Sequence, residues 1–289
     1  MIPSKLSQAI ELLQINEKYL CCPICHSSLR TNQQGNILCY HGHSFDLSKK
    51  GYLNLLGNTR NTNYGKDLFV SRKEIFRLGY YEAVSNLLIN ITKELILNKS
   101  NVNILDVGCG EGYYTYRMGQ DHDLLEKCNF FALDLSKEGI NLATQYSIPA
   151  IWCVADLVKM PFRSATMDMI LDILTPANYH EFNRVLRKNG YIVKVIPGND
   201  YLREIRELVS SKLINKENIN SDTLKYSVEN LKVVLRKHIK YEFPVGEGHL
   251  KHLLTMTPLA NGRVPEELSG INLDKVTIDY EILVGQKIV

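Results

Sequence analysis

From residue 101 onward the apolar positions fall in short continuous runs: Val102–Val107, Phe130–Leu133, Ala150–Val154, Met167–Ile173 and Tyr191–Ile196. Stretches of helical periodicity separate them. Strands buried on both faces read as unbroken apolar runs, so this pattern predicts an α/β, Rossmann-like unit with a mostly parallel sheet and helices on both sides. The first hundred residues read differently. Ile10, Leu12, Leu13 and Ile15 have a helical arrangement, in an extension expected to cap the neighbouring segment or to line a dimer interface. Residues 57–65 gather Gly, Asn and Thr and read as a linker. The chain therefore divides, as an expectation, into residues 1–65 and 66–289.

The first predicted strand of the α/β unit runs into Asp106-Val-Gly108-Cys-Gly110-Glu-Gly112. Glycines there allow a sharp turn and close backbone approach to a ligand. Asp106 is placed to order the loop and to accept hydrogen bonds near an amino-acid moiety. The second strand ends in Asp134, which suits both hydroxyls of a ribose. Asp156 follows the third strand and suits an adenine amino group. Singly, each Asp reads equally well as a turn or N-cap residue. Three at successive strand ends point to a nucleotide-type site.

A second chemical signal lies in the first segment. Four of the seven cysteines fall between residues 21 and 39. An odd cysteine count and the absence of an apparent secretory signal speak against a disulfide framework. Cys22 and Cys25 are separated by two residues, and Cys39 precedes His43 by four. Such pairs place their ligand atoms on one metal from two tight knuckles, giving a closed, structural zinc site. Cys21 in place of Cys22, or His41 or His26 in place of His43, are the competing choices. Gly35-Asn36 between the pairs reads as a hairpin tip. Cys109, Cys128 and Cys153 read as packing residues.

Composition alters this picture little, but charge distribution alters it more. The 289 residues are 45% hydrophobic and 22% charged, ordinary for a folded chain, and no apolar run reaches the ~20 residues of a membrane helix. A cytoplasmic, non-membrane protein is expected. The net charge of +3 is uneven. Residues 1–100 carry 12 basic and 7 acidic groups, whereas residues 101–200 carry 9 and 12. Lys49, Lys50, Arg60, Lys66, Arg72, Lys73 and Arg77 account for much of the basic excess and read as a phosphate-facing surface, with a solvated helix face as the plainer alternative.

Taken in order, Asp-Val-Gly-Cys-Gly-Glu-Gly (106–112), Leu-Asp-Leu-Ser (133–136), Ala-Asp (155–156), Met-Pro-Phe (160–162), Met-Asp-Met-Ile (167–170) and Glu-x-x-Arg-Val-Leu-Arg-Lys-Asn-Gly-Tyr (181–191) resemble the motifs of class I S-adenosylmethionine-dependent methyltransferases. That resemblance implies a seven-stranded sheet with an antiparallel last strand. Leu231–Phe243 and Val276–Gly285 suit its sixth and seventh strands. The run 22–56 further resembles the N-terminus of the RlmA family, which methylates N1 of a guanine in a hairpin loop of 23S ribosomal RNA. Ser71-Arg72-Lys73, Gly79-Tyr80-Tyr81, Gly110-Glu-Gly-Tyr-Tyr-Thr115, Pro197-Gly198 and Leu253–Pro258 match in order. The resemblance implies S-adenosylmethionine as cofactor, zinc on Cys22, Cys25, Cys39 and His43, and cofactor contacts at Tyr81, Tyr114, Thr115 and Asp134. Tyr201 stands where the family has a histidine that touches the cofactor. A homodimer whose zinc modules frame an RNA cleft is implied as well. One branch resembles tylosin-resistance enzymes, which makes a macrolide phenotype an expectation to test.

Methylating guanine N1 requires loss of its proton and an in-line approach to the methyl group. The base must leave its stack to be reached. Asp172, Thr175, Pro176 and Asn178 lie near the end of the fourth predicted strand, and Asp172 is the candidate general base. A methyltransferase acting on a small molecule shares the same core motifs, and a non-catalytic zinc-containing RNA-binding or assembly factor shares the knuckle. The basic segment weighs against the first, the complete glycine loop and acids against the second.

Overall fold

The structure, a computed structural model, describes residues 4–56, 65–210, 219–257 and 273–287. Most of the expected linker, Arg60 and Pro258 lie outside the described residues.

Among the described residues eleven strands form one sheet. In chain order they are β1 (Leu29–Thr31), β2 (Asn36–Cys39), β3 (Ser44–Leu47), β4 (Tyr52–Asn54), β5 (Val102–Val107), β6 (Cys128–Asp134), β7 (Ala150–Val154), β8 (Met167–Ile173), β9 (Leu186–Pro197), β10 (Leu231–Pro244) and β11 (Lys275–Lys287). Ten α-helices accompany them among the described residues: α1 (Lys5–Asn16), α2 (Lys66–Arg77), α3 (Glu82–Leu95), α4 (Tyr113–Gln120), α5 (His122–Lys127), α6 (Lys137–Ala143), α7 (Tyr179–Val185), α8 (Arg203–Ser210), α9 (Ile219–Asn230) and α10 (His249–Met256).

The spatial order is β1-β2-β3-β4-β7-β6-β5-β8-β9-β11-β10. From β7 to β10 this is the seven-stranded, mostly parallel arrangement expected. The continuous apolar runs form its buried centre: all six residues of β5 and all five of β7 are buried. β11 runs antiparallel to both β9 and β10. Placing the last strand between its two predecessors leaves β10 on the edge, and its burial accordingly alternates.

The strand count is where the structure departs from expectation. β1–β4 form an antiparallel ribbon, and its last strand pairs in parallel with β7 through Tyr52↔Trp152, Leu53↔Cys153 and Asn54↔Val154. The N-terminal ribbon thus continues the central sheet from seven to eleven strands. Leu20, Cys22, Leu29 and Leu53 share one core with Phe131, Phe162 and Ile170. A three-residue strand such as β4 carries too little alternation to be seen in a sequence, so the join has no sequence signal. α1 caps this seam. Its N-cap Ser4 accepts from Ser7 N, Leu13 is buried, and Lys5 donates to the Thr144 carbonyl.

Candidate functional site

Two sites emerge, one in the ribbon and one at the carboxyl ends of the parallel strands.

In the ribbon, two tight turns bring Cys22, Cys25, Cys39 and His43 together with their ligand atoms within 4.8 Å of one another. Gly42, at φ 83°, lets the chain fold back between Cys39 and His43. Cys25 Sγ and Cys39 Sγ are 3.7 Å apart, and His43 Nδ1 lies 3.3 Å from Cys39 Sγ and 3.6 Å from Cys22 Sγ. A tetrahedral zinc with Zn–S bonds of about 2.3 Å would set its sulfurs about 3.8 Å apart, so the cluster fits zinc without rearrangement. The backbone N–H groups of Ile24 and His43 donate to Cys22 Sγ and Cys39 Sγ, orienting both sulfurs. Cys21 instead pairs with Ser28 through a backbone bridge and is no ligand. Four protein ligands close the shell, so the ion is structural.

The second site is assembled from distant segments. β5 delivers Asp106, whose Oδ2 accepts from Thr115 Oγ1 at 2.5 Å, tying the strand end to the first turn of α4. Between them the glycine loop turns back on itself. Gly108 has φ 65°, and a Cβ there would sit 2.2 Å from Thr175 Oγ1, so the position tolerates nothing larger. β6 delivers Asp134, which accepts from Gly110 N at 2.8 Å and Ser136 N at 2.7 Å. Each carboxylate oxygen keeps further acceptor capacity for a ribose. Asp156 caps the turn Leu157–Lys159 by accepting from Val158 N, two residues past the β7 residue that pairs with Asp134. Its capping role is visible here, while the adenine contact stays an expectation.

Aromatic rings wall the cleft. Tyr81 OH and Tyr201 OH are 2.9 Å apart, and the Tyr201 ring lies 4.9 Å from that of Tyr280. Phe76 of α2 stacks on Tyr113 and meets Tyr81 and Tyr114 edge-on. Tyr114 OH is buried with no hydrogen-bond partner among the described residues. Such a hydroxyl has its hydrogen-bonding capacity free for a bound group. Burial pushes Asp106 up to about 7, with Thr115 opposing, and it also raises Glu111 and Asp134. Three acids crowded out of water favour a cationic ligand. Together, the orphaned hydroxyl, the glycine cradle and the acidic strand ends fit S-adenosylmethionine, whose sulfonium and ammonium are both positive.

Three features of the site go beyond the sequence expectations. Asp172 is 0% exposed and Lys194 of β9 is 2% exposed, and they form a 2.9 Å ion pair. Burial raises Asp172 to about 6 while Lys194 pulls it down. Lys194 also donates to the Thr175 carbonyl, next to Leu174 in the left-handed region at φ 57°. Asp172 thus anchors the loop after β8 through its Oδ1. The basic segment also divides. Arg72 points at the glycine loop, with Nε 3.2 Å from Glu111 Oε2. Lys73 donates to Gln145 and lies over the Tyr146 ring, and Arg77 pairs with Glu74. Lys49, Lys50 and Lys66 of that stretch are exposed. Finally, Arg72, Glu111 and Tyr280 belong to the cleft, although the motifs do not assign them to it. A signal exists for the first: Phe69, Arg72 and Phe76 share one helical face, and both flanking residues are apolar.

Comparison with known proteins mirrors this division. Residues 20–59 match the family model of the RlmA N-terminal zinc ribbon, and residues 98–242 match a methyltransferase-domain model. A putative 23S rRNA (guanine-N1)-methyltransferase of Bacillus subtilis is 30% identical over 271 residues, covering 92% of this chain and 96% of that protein. The 23S rRNA (guanine(748)-N1)-methyltransferase of Streptomyces fradiae is 25% identical, covering 87% and 89%. A further putative 23S rRNA (guanine-N1)-methyltransferase, from Micromonospora griseorubida, is 26% identical over 65% of this chain and 68% of that one.

Proposed function

Because the chain belongs to the family of 23S rRNA (guanine-N1)-methyltransferases with an RlmA-type zinc ribbon, we propose that it methylates N1 of a guanine in a hairpin loop of 23S ribosomal RNA. Its methyl donor is S-adenosylmethionine and its ribbon holds a structural zinc. The observation that carries the reading is the continuity of the two sites: the zinc ribbon is built onto the sheet that ends in the donor cleft, through β4 and β7. A small acceptor does not require such an extension.

Bound in the cleft, the cofactor supplies an electrophilic methyl group. The chain's residues then bind and orient. Gly108–Gly112 give close backbone approach, Asp134 takes the ribose, and Asp106 with Thr115 keeps the loop closed. Tyr81, Tyr114 and Tyr201 would exclude water around the bound cofactor, and aromatic rings of this kind would receive a looped-out guanine. The Lys194–Asp172 pair fixes the loop carrying Thr175 and Pro176, which borders that entrance. Orientation supplies most of the acceleration, since a sulfonium needs little activation.

The ribbon offers the RNA surface. Tyr40 is 88% exposed beside the exposed Arg30, at the rim of a cleft of about 730 Å³ shared with His26, Asn32 and Arg163. A ring at that position stacks on an unpaired base while arginine meets phosphate. Lys49 and Lys50, exposed on the turn after β3, add positive charge at the other end of that strand. Methyl transfer from labelled cofactor to ribosomal RNA of a strain lacking the protein tests the proposal. The parent labels 23S RNA, and Tyr40→Ala weakens RNA binding by about 10-fold, within the worth of one stacked base, without changing cofactor affinity. Label confined to small metabolites would contradict the proposal.

A further inference from the structure

We propose that Arg72 is a cofactor-binding residue that holds the carboxylate of the methionyl end. The inference rests on reading the cleft as the methyl-donor site. α2 packs over the glycine loop. Phe69 reaches within 3.5 Å of where a Cβ on Gly110 would stand, and within 3.1 Å of that position on Gly139. One turn on, Arg72 Nη2 comes within 3.6 Å of the same Gly110 position. The guanidinium carbon lies 5.7 Å from the centre of the Phe76 ring, whose edge contacts include Tyr81 and Tyr114. The cation is therefore seated inside the aromatic wall, above the glycine loop.

Its contact with Glu111 does not use it up. Arg72 Nε and Glu111 Oε2 are 3.2 Å apart, yet neither Glu111 oxygen receives a well-aligned hydrogen bond from another described residue. Glu111 is itself buried. A pair built only for stability would be expected to close that geometry. A pair split by an arriving zwitterion need not. The methionyl end brings one ammonium and one carboxylate. Asp106, Glu111 and Asp134 are acids of the cleft, and each suits the ammonium or the ribose. None can take a carboxylate. Arg72 is a cation facing Gly110 of the loop, and a guanidinium binds a carboxylate with two parallel N–H groups. An RNA phosphate is a poorer match, since the side chain turns towards Gly110.

The test compares two ligands on the full zinc-loaded chain by calorimetry: S-adenosylmethionine and its decarboxylated form, which keeps the sulfonium, ammonium, ribose and adenine. The parent should prefer the carboxylated ligand. Arg72→Ala should weaken S-adenosylmethionine by about 10- to 100-fold, the range of a lost charge-assisted contact, and leave the decarboxylated ligand within about threefold. Arg72→Lys should recover part of the preference, which also guards against a folding defect in the alanine variant. Equal loss of both ligands in Arg72→Ala with no recovery in Arg72→Lys would assign the residue a structural role and overturn the proposal. Unchanged affinity for both would overturn it too. If the parent binds neither ligand, the donor-site reading falls first and takes the proposal with it.

Discussion

The zinc ribbon and the donor cleft sit on one sheet but are organised in opposite ways. All four ribbon ligands lie between residues 22 and 43, on two short turns, and their geometry is local. The cleft draws on residues from Arg72 to Tyr280, brought together only when the strands align. A local site can be specified by spacing alone and can be stabilised by one ion. A non-local site exists only if the whole sheet exists. The contrast also explains why the ribbon needs help: its strands are three or four residues long, too short to bury an independent core. It borrows apolar contacts from β7 and gains the rest from zinc.

Removing the ion breaks this comparison most severely. Apparent zinc binding at such sites is worth about 10–16 kcal/mol, so chelation should unfold the ribbon around β1–β3. Hydrogen exchange should show lost protection over residues 20–47, with β5, β6 and β8 still protected. Uniform loss across the sheet would mean that the two regions form one cooperative unit.

A smaller effect probes the cleft side. Lys194→Met strands Asp172 in the interior without its partner, which should cost about 3–5 kcal/mol in urea unfolding. Replacing both residues by apolar ones of similar volume should restore much of that loss. If Lys194→Met alone is neutral, the pair is not holding the loop after β8.

The smallest effect is a pH dependence confined to the cleft. Asp106, raised by burial to about 7, is protonated below that value and cannot attract an ammonium. Cofactor affinity should therefore rise as pH goes from 6 to 8, by up to about 10-fold for full deprotonation of one contacting acid. The stability of the free protein runs the other way. A carboxyl raised on folding contributes its full stabilisation below its unfolded pKa, near 4. That contribution fades as pH rises towards 7. Asp106→Asn should weaken both trends, leaving the share carried by the other buried acids, Glu111, Asp134 and Asp172.

What the sequence makes legible obeys the same division. The zinc ligands are readable because spacing encodes a knuckle directly. The five parallel strands are readable because continuous burial leaves continuous apolar runs, and Asp106 and Asp134 are readable because they end those runs. The union of ribbon and sheet is not, since β4 offers only Tyr52, Leu53 and Asn54 as evidence. Arg72 escapes for a related reason. A count of charges along the chain cannot tell a guanidinium turned into a cleft from one turned to solvent. Asp172 stands at the right strand end for a base, but its partner Lys194 lies on the next strand, and only the β8–β9 register reveals the pair.

Primer extension along 23S ribosomal RNA from strains with and without the protein reads guanine-N1 methylation directly. A methyl group on guanine N1 blocks Watson–Crick pairing and halts the copying enzyme. A stop within a hairpin loop, present with the protein and absent without it, restored by the parent but not by a Gly108→Val variant, is the predicted result. Identical extension patterns in the two strains would contradict the account.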